Sequence, residues 1–114
     1  MKIAIIGAGV AGCILARSLA DIPGVETVCL ERVLQDDHSE SGTGLNIGPN
    51  AVKALRLTEP ALADAIAAAS FAWKTWRVSL TDGTVLFDLP LDQVADCDGV
   101  RIRWSELYSV LRRE

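Results

Sequence analysis

The sequence predicts an α/β fold that starts with two parallel strands joined by a helix, and three observations carry that prediction. Lys2 is followed by the apolar run Ile3-Ala4-Ile5-Ile6, which is how a short strand buried on both faces of a parallel sheet reads. Val10, Ile14, Leu15 and Leu19 then recur at helical spacing, and Pro23-Gly24 ends the pattern. Val25 to Glu31 is a second β-branched, mostly apolar run, and a helix between two strands makes them parallel.

The later elements have a different pattern. Arg32 to Gly44 carries Asp36, Asp37, His38, Ser39, Glu40 and Ser41 without periodicity, so it is expected to be a loop, with His38 solvated. Pro49 to Leu57 and Pro60 to Ser70 each begin with proline and continue as short helices. Phe71 to Leu80 and Val85 to Leu89 flank Thr81-Asp82-Gly83-Thr84, which predicts an antiparallel β-hairpin with Trp73, Trp76 and Phe87 partly exposed. Asp92 to Gly99 is turn-like, and Ser105 is placed to cap an amphipathic helix over Glu106 to Arg113 with Leu107, Val110 and Leu111 on its apolar face.

Composition narrows the function classes. The chain has 114 residues, half of them apolar, and 15 acids against 11 bases give a formal charge of -4. That is one small domain at most, with no basic stripe to neutralise phosphates, so nucleic acid is excluded as an expected partner. Cys13, Cys29 and Cys97 form no Cys-x-x-Cys pair and are expected to be buried, reduced thiols. The Ile3–Ile6 run is too short for a signal or a membrane span, so a cytoplasmic protein without a membrane partner is expected, and no residue cluster suggests a metal.

The sharpest motif is Gly7-Ala8-Gly9-Val10-Ala11-Gly12, a G-x-G-x-x-G between the first strand and the first helix. Gly7 permits the tight turn, Gly9 lets backbone approach a pyrophosphate, and Gly12 allows close packing of helix and strand. The amides at the helix N-terminus, including those of Ala8, Val10 and Ala11, then face an anion. Glu31 ends the second strand nineteen residues after Gly12, where a carboxylate accepts hydrogen bonds from an unphosphorylated adenosine ribose. Arg32 beside it is a candidate to pack on the adenine, a solvated arginine being the alternative. The expectation is a Rossmann-like dinucleotide site for FAD or NAD.

The segment after the second strand separates the two cofactors. A simple NAD domain continues through a helix to a third buried strand; here a long loop, two short helices and a hairpin intervene, as in flavoproteins of the glutathione-reductase structural type. Gly42-Thr43-Gly44-Leu45-Asn46-Ile47-Gly48-Pro49-Asn50-Ala51 resembles the G-A-G-I-x-L-x-P-N-A segment of single-component FAD-dependent aromatic-ring monooxygenases, the group of salicylate hydroxylase and, more distantly, para-hydroxybenzoate hydroxylase. The resemblance implies that Gly44 passes close to the flavin and that the hairpin belongs to a substrate-binding sheet. The family also carries R-x-x-L-x-x-x-L after the hairpin, with an arginine that contacts FAD. Leu107 and Leu111 match those leucines, Trp104 stands at the arginine's position, and Arg103 one residue earlier is the candidate. Cys97-Asp98-Gly99-Val100-Arg101 is similar to another family motif, G-A-D-G-x-R, but no buried strand is expected before it.

The resemblance thus implies an FAD-dependent monooxygenase that hydroxylates a small aromatic substrate with NAD(P)H and O2. Residues 1–57 would start the FAD domain, 58–99 the substrate-binding insertion, and 100–114 a helix returning to the FAD domain. Family members are several times longer and carry a later Gly-Asp-Ala motif that is missing here. An incomplete fold, inactive alone, is therefore expected, with a partly exposed sheet face and a missing carboxy-terminal part or self-association to cover it. Another FAD- or NAD-dependent oxidoreductase, or a non-catalytic dinucleotide-binding or interaction module, is the alternative. No residue is an evident acid–base catalyst.

Overall fold

The computed structural model describes residues 1–33 and 42–113. His38 and most of the expected loop over Arg32–Gly44 lie outside the described residues. The fold is mixed α/β and divides into two compact units, Met1–Gly42 with Trp104–Glu114, and Thr43–Arg103.

The first unit is built on strand β1 (Lys2–Ile6), helix α1 (Val10–Ala20) and strand β2 (Glu26–Leu30). β1 and β2 pair in parallel, Lys2 opposite Glu26 and Ile6 opposite Leu30, as the helical connection requires. Ile5 is buried, as is Cys13 on α1. A last helix, α4 (Trp104–Leu111), packs on α1; Leu107, Val110 and Leu111 are its buried residues, the apolar set that its 3.6-residue period predicts. Arg17 Nη1 donates to the carbonyl of Arg113 at 3.0 Å and ties the two helices together. The β1–β2 sheet is not buried on both faces: Ile6 of β1 and Val28 and Leu30 of β2 are more than half exposed, because alternate side chains point away from α1. The partly exposed sheet face is therefore present within this unit.

The second unit runs β3 (Leu45–Ile47), α2 (Pro49–Thr58), α3 (Pro60–Ala68), β4 (Phe71–Trp73), β5 (Thr75–Ser79), β6 (Val85–Pro90), a 3-10 turn at Leu91–Gln93, and β7 (Gly99–Ile102). β7 lies between β3 and β4, antiparallel to both. Ile47, Val52, Leu62, Ala63, Ile66, Leu91 and Ile102 form its core. Prolines at the first helical positions of α2 and α3 start both helices, since they forgo an amide that would have no intrahelical partner.

Three further sequence expectations need correction. Phe71–Leu80 is not one hairpin strand: the chain changes sheet at Lys74, whose carbonyl accepts from Leu91 N at 2.7 Å, so β4 joins β7 and only β5 pairs with β6. Trp73 consequently leaves the hairpin and lies on Gly99, where an added Cβ would be 2.3 Å from its ring, while Trp76 and Phe87 stay exposed and meet edge-on at 6.0 Å. Ser105 lies inside the first turn of α4 and so cannot be its N-cap. Cys13 alone of the three thiols is buried; Cys29 is exposed and Cys97 half-buried, all three reduced.

Candidate functional site

The glycine turn is shaped from both ends. Gly7 N donates to the carbonyl of Leu30 at 2.7 Å, holding the start of the turn against the end of β2. Gly7 then takes φ +97°, the left-handed region in which a side chain is strained. At the other end the Gly7 carbonyl is packed onto Gly12, so that an added Cβ would lie 1.9 Å from its oxygen. Gly9 precedes α1 in extended conformation; no side chain caps the helix and no acid stands in its first turn. The first turn of a helix leaves its amides without intrahelical partners, and the helix dipole gives them partial positive charge. Above Gly9 there is room: a Cβ there would meet nothing within 4 Å.

Glu31 leaves β2 beside this turn. Its Oε2 accepts from Ala8 N at 2.6 Å and its Oε1 from Val33 N at 2.9 Å. These two amide bonds, first Val33 and then Ala8, hold the carboxyl below the usual glutamate range, with the positive charge of Arg112 as a smaller contribution. A carboxylate offers about four lone-pair positions, so two remain for hydroxyl donors. Arg32, next in the chain, is exposed.

Arg112, just beyond α4, is a residue that the sequence reading missed. Its Nη2 donates to the carbonyl of Ala8 at 3.2 Å, and its guanidinium lies 4.8 Å from the centre of the Tyr108 ring. Cys13 Sγ donates to the same carbonyl, also at 3.2 Å. Burial pushes the Cys13 thiol up, with the neighbouring Arg112 guanidinium opposing. Tyr108 and Arg112 stand four residues apart, the spacing that puts two side chains on one helix face; that was the available signal.

The structure therefore brings together Gly7, Ala8, Gly9, Val10, Ala11, Gly12, Glu31 and Arg32 in the first unit. Gly44 and Arg103 belong to the second. There Gly44 lies against β7, an added Cβ coming within 3.1 Å of the Ile102 carbonyl and 4.0 Å of Arg103 Cα, and Arg103 is exposed. No cluster of possible metal ligands and no helix long and apolar enough to cross a membrane is present among the described residues.

No protein-family model and no curated protein matches the sequence. Solved structures do match the fold. CtdE, in complex with FAD and its substrate 4, superposes with a TM-score of 0.74 at 22% identity, over 97% of this chain and 26% of that one. The p-nitrophenol 4-monooxygenase PnpA from Pseudomonas putida DLL-E4 gives 0.75 at 20% identity, over 96% and 28%. The 2,6-dihydroxypyridine-3-hydroxylase from Arthrobacter nicotinovorans gives 0.63 at 23%, over 96% and 25%. The chain thus spans about a quarter of the length of these proteins and has the fold of that quarter. The resemblance to aromatic hydroxylases read from the sequence holds at the level of fold.

Proposed function

We propose that this chain is the FAD-binding portion of a flavoprotein monooxygenase that hydroxylates a small aromatic substrate with NAD(P)H and O2, in the cytoplasm. The observation that carries the proposal is the Glu31 carboxylate bonded to the Ala8 amide 2.6 Å away, which sets a ribose acceptor beside an uncapped helix N-terminus. The extension to aromatic hydroxylation draws on the fold shared with the hydroxylases and on the Gly42–Ala51 segment.

The residues present suit the adenosine diphosphate half of FAD. Gly9 and the amides of Val10, Ala11 and Gly12 would take the pyrophosphate, an anion at a helix N-terminus needing no counter-charge from a side chain. Glu31 would accept from the two ribose hydroxyls with its remaining lone pairs, and a 2′-phosphate would meet its negative charge, which favours FAD over a phosphorylated dinucleotide. Arg32 is free to lie along the adenine. Gly44 and Arg103 are proposed as contacts on the flavin side, within residues 1–57 and 100–114 of the FAD portion, with 58–99 starting the substrate-binding part. Bound there, FAD would carry electrons from the nicotinamide to O2 and supply the oxygen transfer; the role of these residues is to hold and orient it. No described residue is proposed as the acid–base catalyst, and the chain alone is expected to lack hydroxylase activity.

Titration of the purified chain with FAD, followed by flavin fluorescence, tests this. We expect weak binding, with a dissociation constant between roughly 1 µM and 1 mM, reversed by ADP and not by riboflavin 5′-phosphate. Displacement by riboflavin 5′-phosphate but not by ADP would overturn the assignment, as would a folded chain that binds neither FAD nor ADP at millimolar concentration.

A further inference from the structure

We propose that Arg112 is a positioning residue that keeps the Gly9 amide of the glycine turn facing the bound pyrophosphate; this rests on the dinucleotide reading above. Two carbonyls in the turn are fixed by neighbouring groups. That of Gly7 is packed against Gly12, and that of Ala8 accepts from Arg112 Nη2 and from Cys13 Sγ, each at 3.2 Å. Both oxygens are thus held by the protein. A peptide unit is planar, and none here is cis, so its N–H points opposite to its C=O. The Gly7–Ala8 unit accordingly sends its N–H to Glu31. The Ala8–Gly9 unit, its oxygen held by Arg112, sends the Gly9 N–H to the side opposite Arg112.

Without Arg112 the Ala8 carbonyl keeps only the thiol of Cys13, a weak donor. The Ala8–Gly9 peptide can then turn over, because glycine on its carboxy-terminal side tolerates the positive φ that a flip creates. The flipped unit would present a carbonyl oxygen to a phosphate. Arg112 is itself held: its guanidinium stacks over Tyr108 at 4.8 Å, a cation–π contact. Its side chain is partly buried, and its Nε is a buried donor without a partner. A buried donor left unmet is costly, a cost that a fully solvated surface arginine would not incur.

The test uses Arg112→Met, which keeps an apolar stem and removes every donor, Arg112→Gln as a second shortened variant should the first not fold, and Arg112→Lys as the conservative one. Two readouts are taken on the 114-residue chain: the Gly9 amide resonance without ligand, and titrations with ADP and with adenosine. We expect the Met or Gln variant to shift the Gly9 amide and lose about tenfold in ADP affinity, the net worth of about one hydrogen bond to a charged group. Adenosine affinity, which depends on Glu31, should not change, and Lys should recover most of the ADP loss. A folded Met or Gln variant with an unmoved Gly9 resonance and wild-type ADP affinity would overturn the proposal; so would equal losses for ADP and adenosine. If the wild-type chain bound neither ligand, the dinucleotide reading would fail, and the Gly9 resonance would still decide whether Arg112 holds the turn.

Discussion

Gly12→Ala is expected to disrupt the first unit, whereas Gly9→Val should leave its fold intact and abolish dinucleotide binding. The two glycines serve the same turn for different physical reasons. At Gly12 the methyl carbon itself is the obstacle: it would sit 1.9 Å from the Gly7 carbonyl oxygen, a backbone atom that cannot move without carrying β1 or α1 along. Overpacking of that kind costs on the order of 3 kcal/mol, a large share of the stability of a small unit. Gly9 has φ −72° and ψ −172°, a conformation open to any residue, and an added Cβ would touch nothing. A valine there is therefore tolerated by the chain and projects into the space assigned to the pyrophosphate. Urea unfolding monitored by circular dichroism, beside an ADP titration of each variant, separates the two effects. A stable Gly12→Ala chain, or an unaffected ADP affinity in Gly9→Val, would contradict these assignments.

The second large effect is expected at Glu31. Glu31→Gln removes the charge that faces the ribose, and FAD, ADP and adenosine should each lose about ten- to a hundredfold in affinity. The same residue gives a pH dependence whose sign is fixed. Its folded-state carboxyl is held below the ordinary glutamate range by the Val33 and Ala8 amides, so the folded state favours the ionised form. The stabilisation is present above the unfolded-state value and is lost as pH falls through the lowered folded-state value. Melting temperature should therefore drop less on acidification in Glu31→Gln than in the wild-type chain. Adenosine affinity equal in the two proteins, or an identical acid response, would remove Glu31 from the site.

Elements with strong periodicity were legible in the sequence. β1, α1 and β2 appear where the apolar runs and the helical spacing put them, and α2 and α3 start at their prolines. β3 and β7 were not legible, because strands of three and four residues are too short for an alternating pattern to stand out from a loop. Lys74 hides the change of sheet for a related reason: Phe71–Ser79 alternates on either side of it, and only long-range pairing decides which partner each half takes. On the site, Gly7, Gly9, Gly12 and Glu31 could be found because each answers a local requirement of the turn. Arg112 reaches Ala8 across 104 positions of sequence, and a contact at that separation leaves only the Tyr108–Arg112 spacing as a trace. The leucine pattern of the last helix points to Arg103 at its start and carries no mark of the arginine at its end.

The most direct test of the central claim is amide mapping of the chain with ADP. Nitrogen-15 spectra recorded during the titration should show the resonances of Gly9, Val10, Ala11 and Gly12 moving first and furthest, with Ala8 and Val33 responding through Glu31. Amides of β5 and β6 should stay in place. ADP-induced shifts centred on the second unit, with Gly9–Gly12 unmoved, would contradict the claim that the glycine turn holds the dinucleotide.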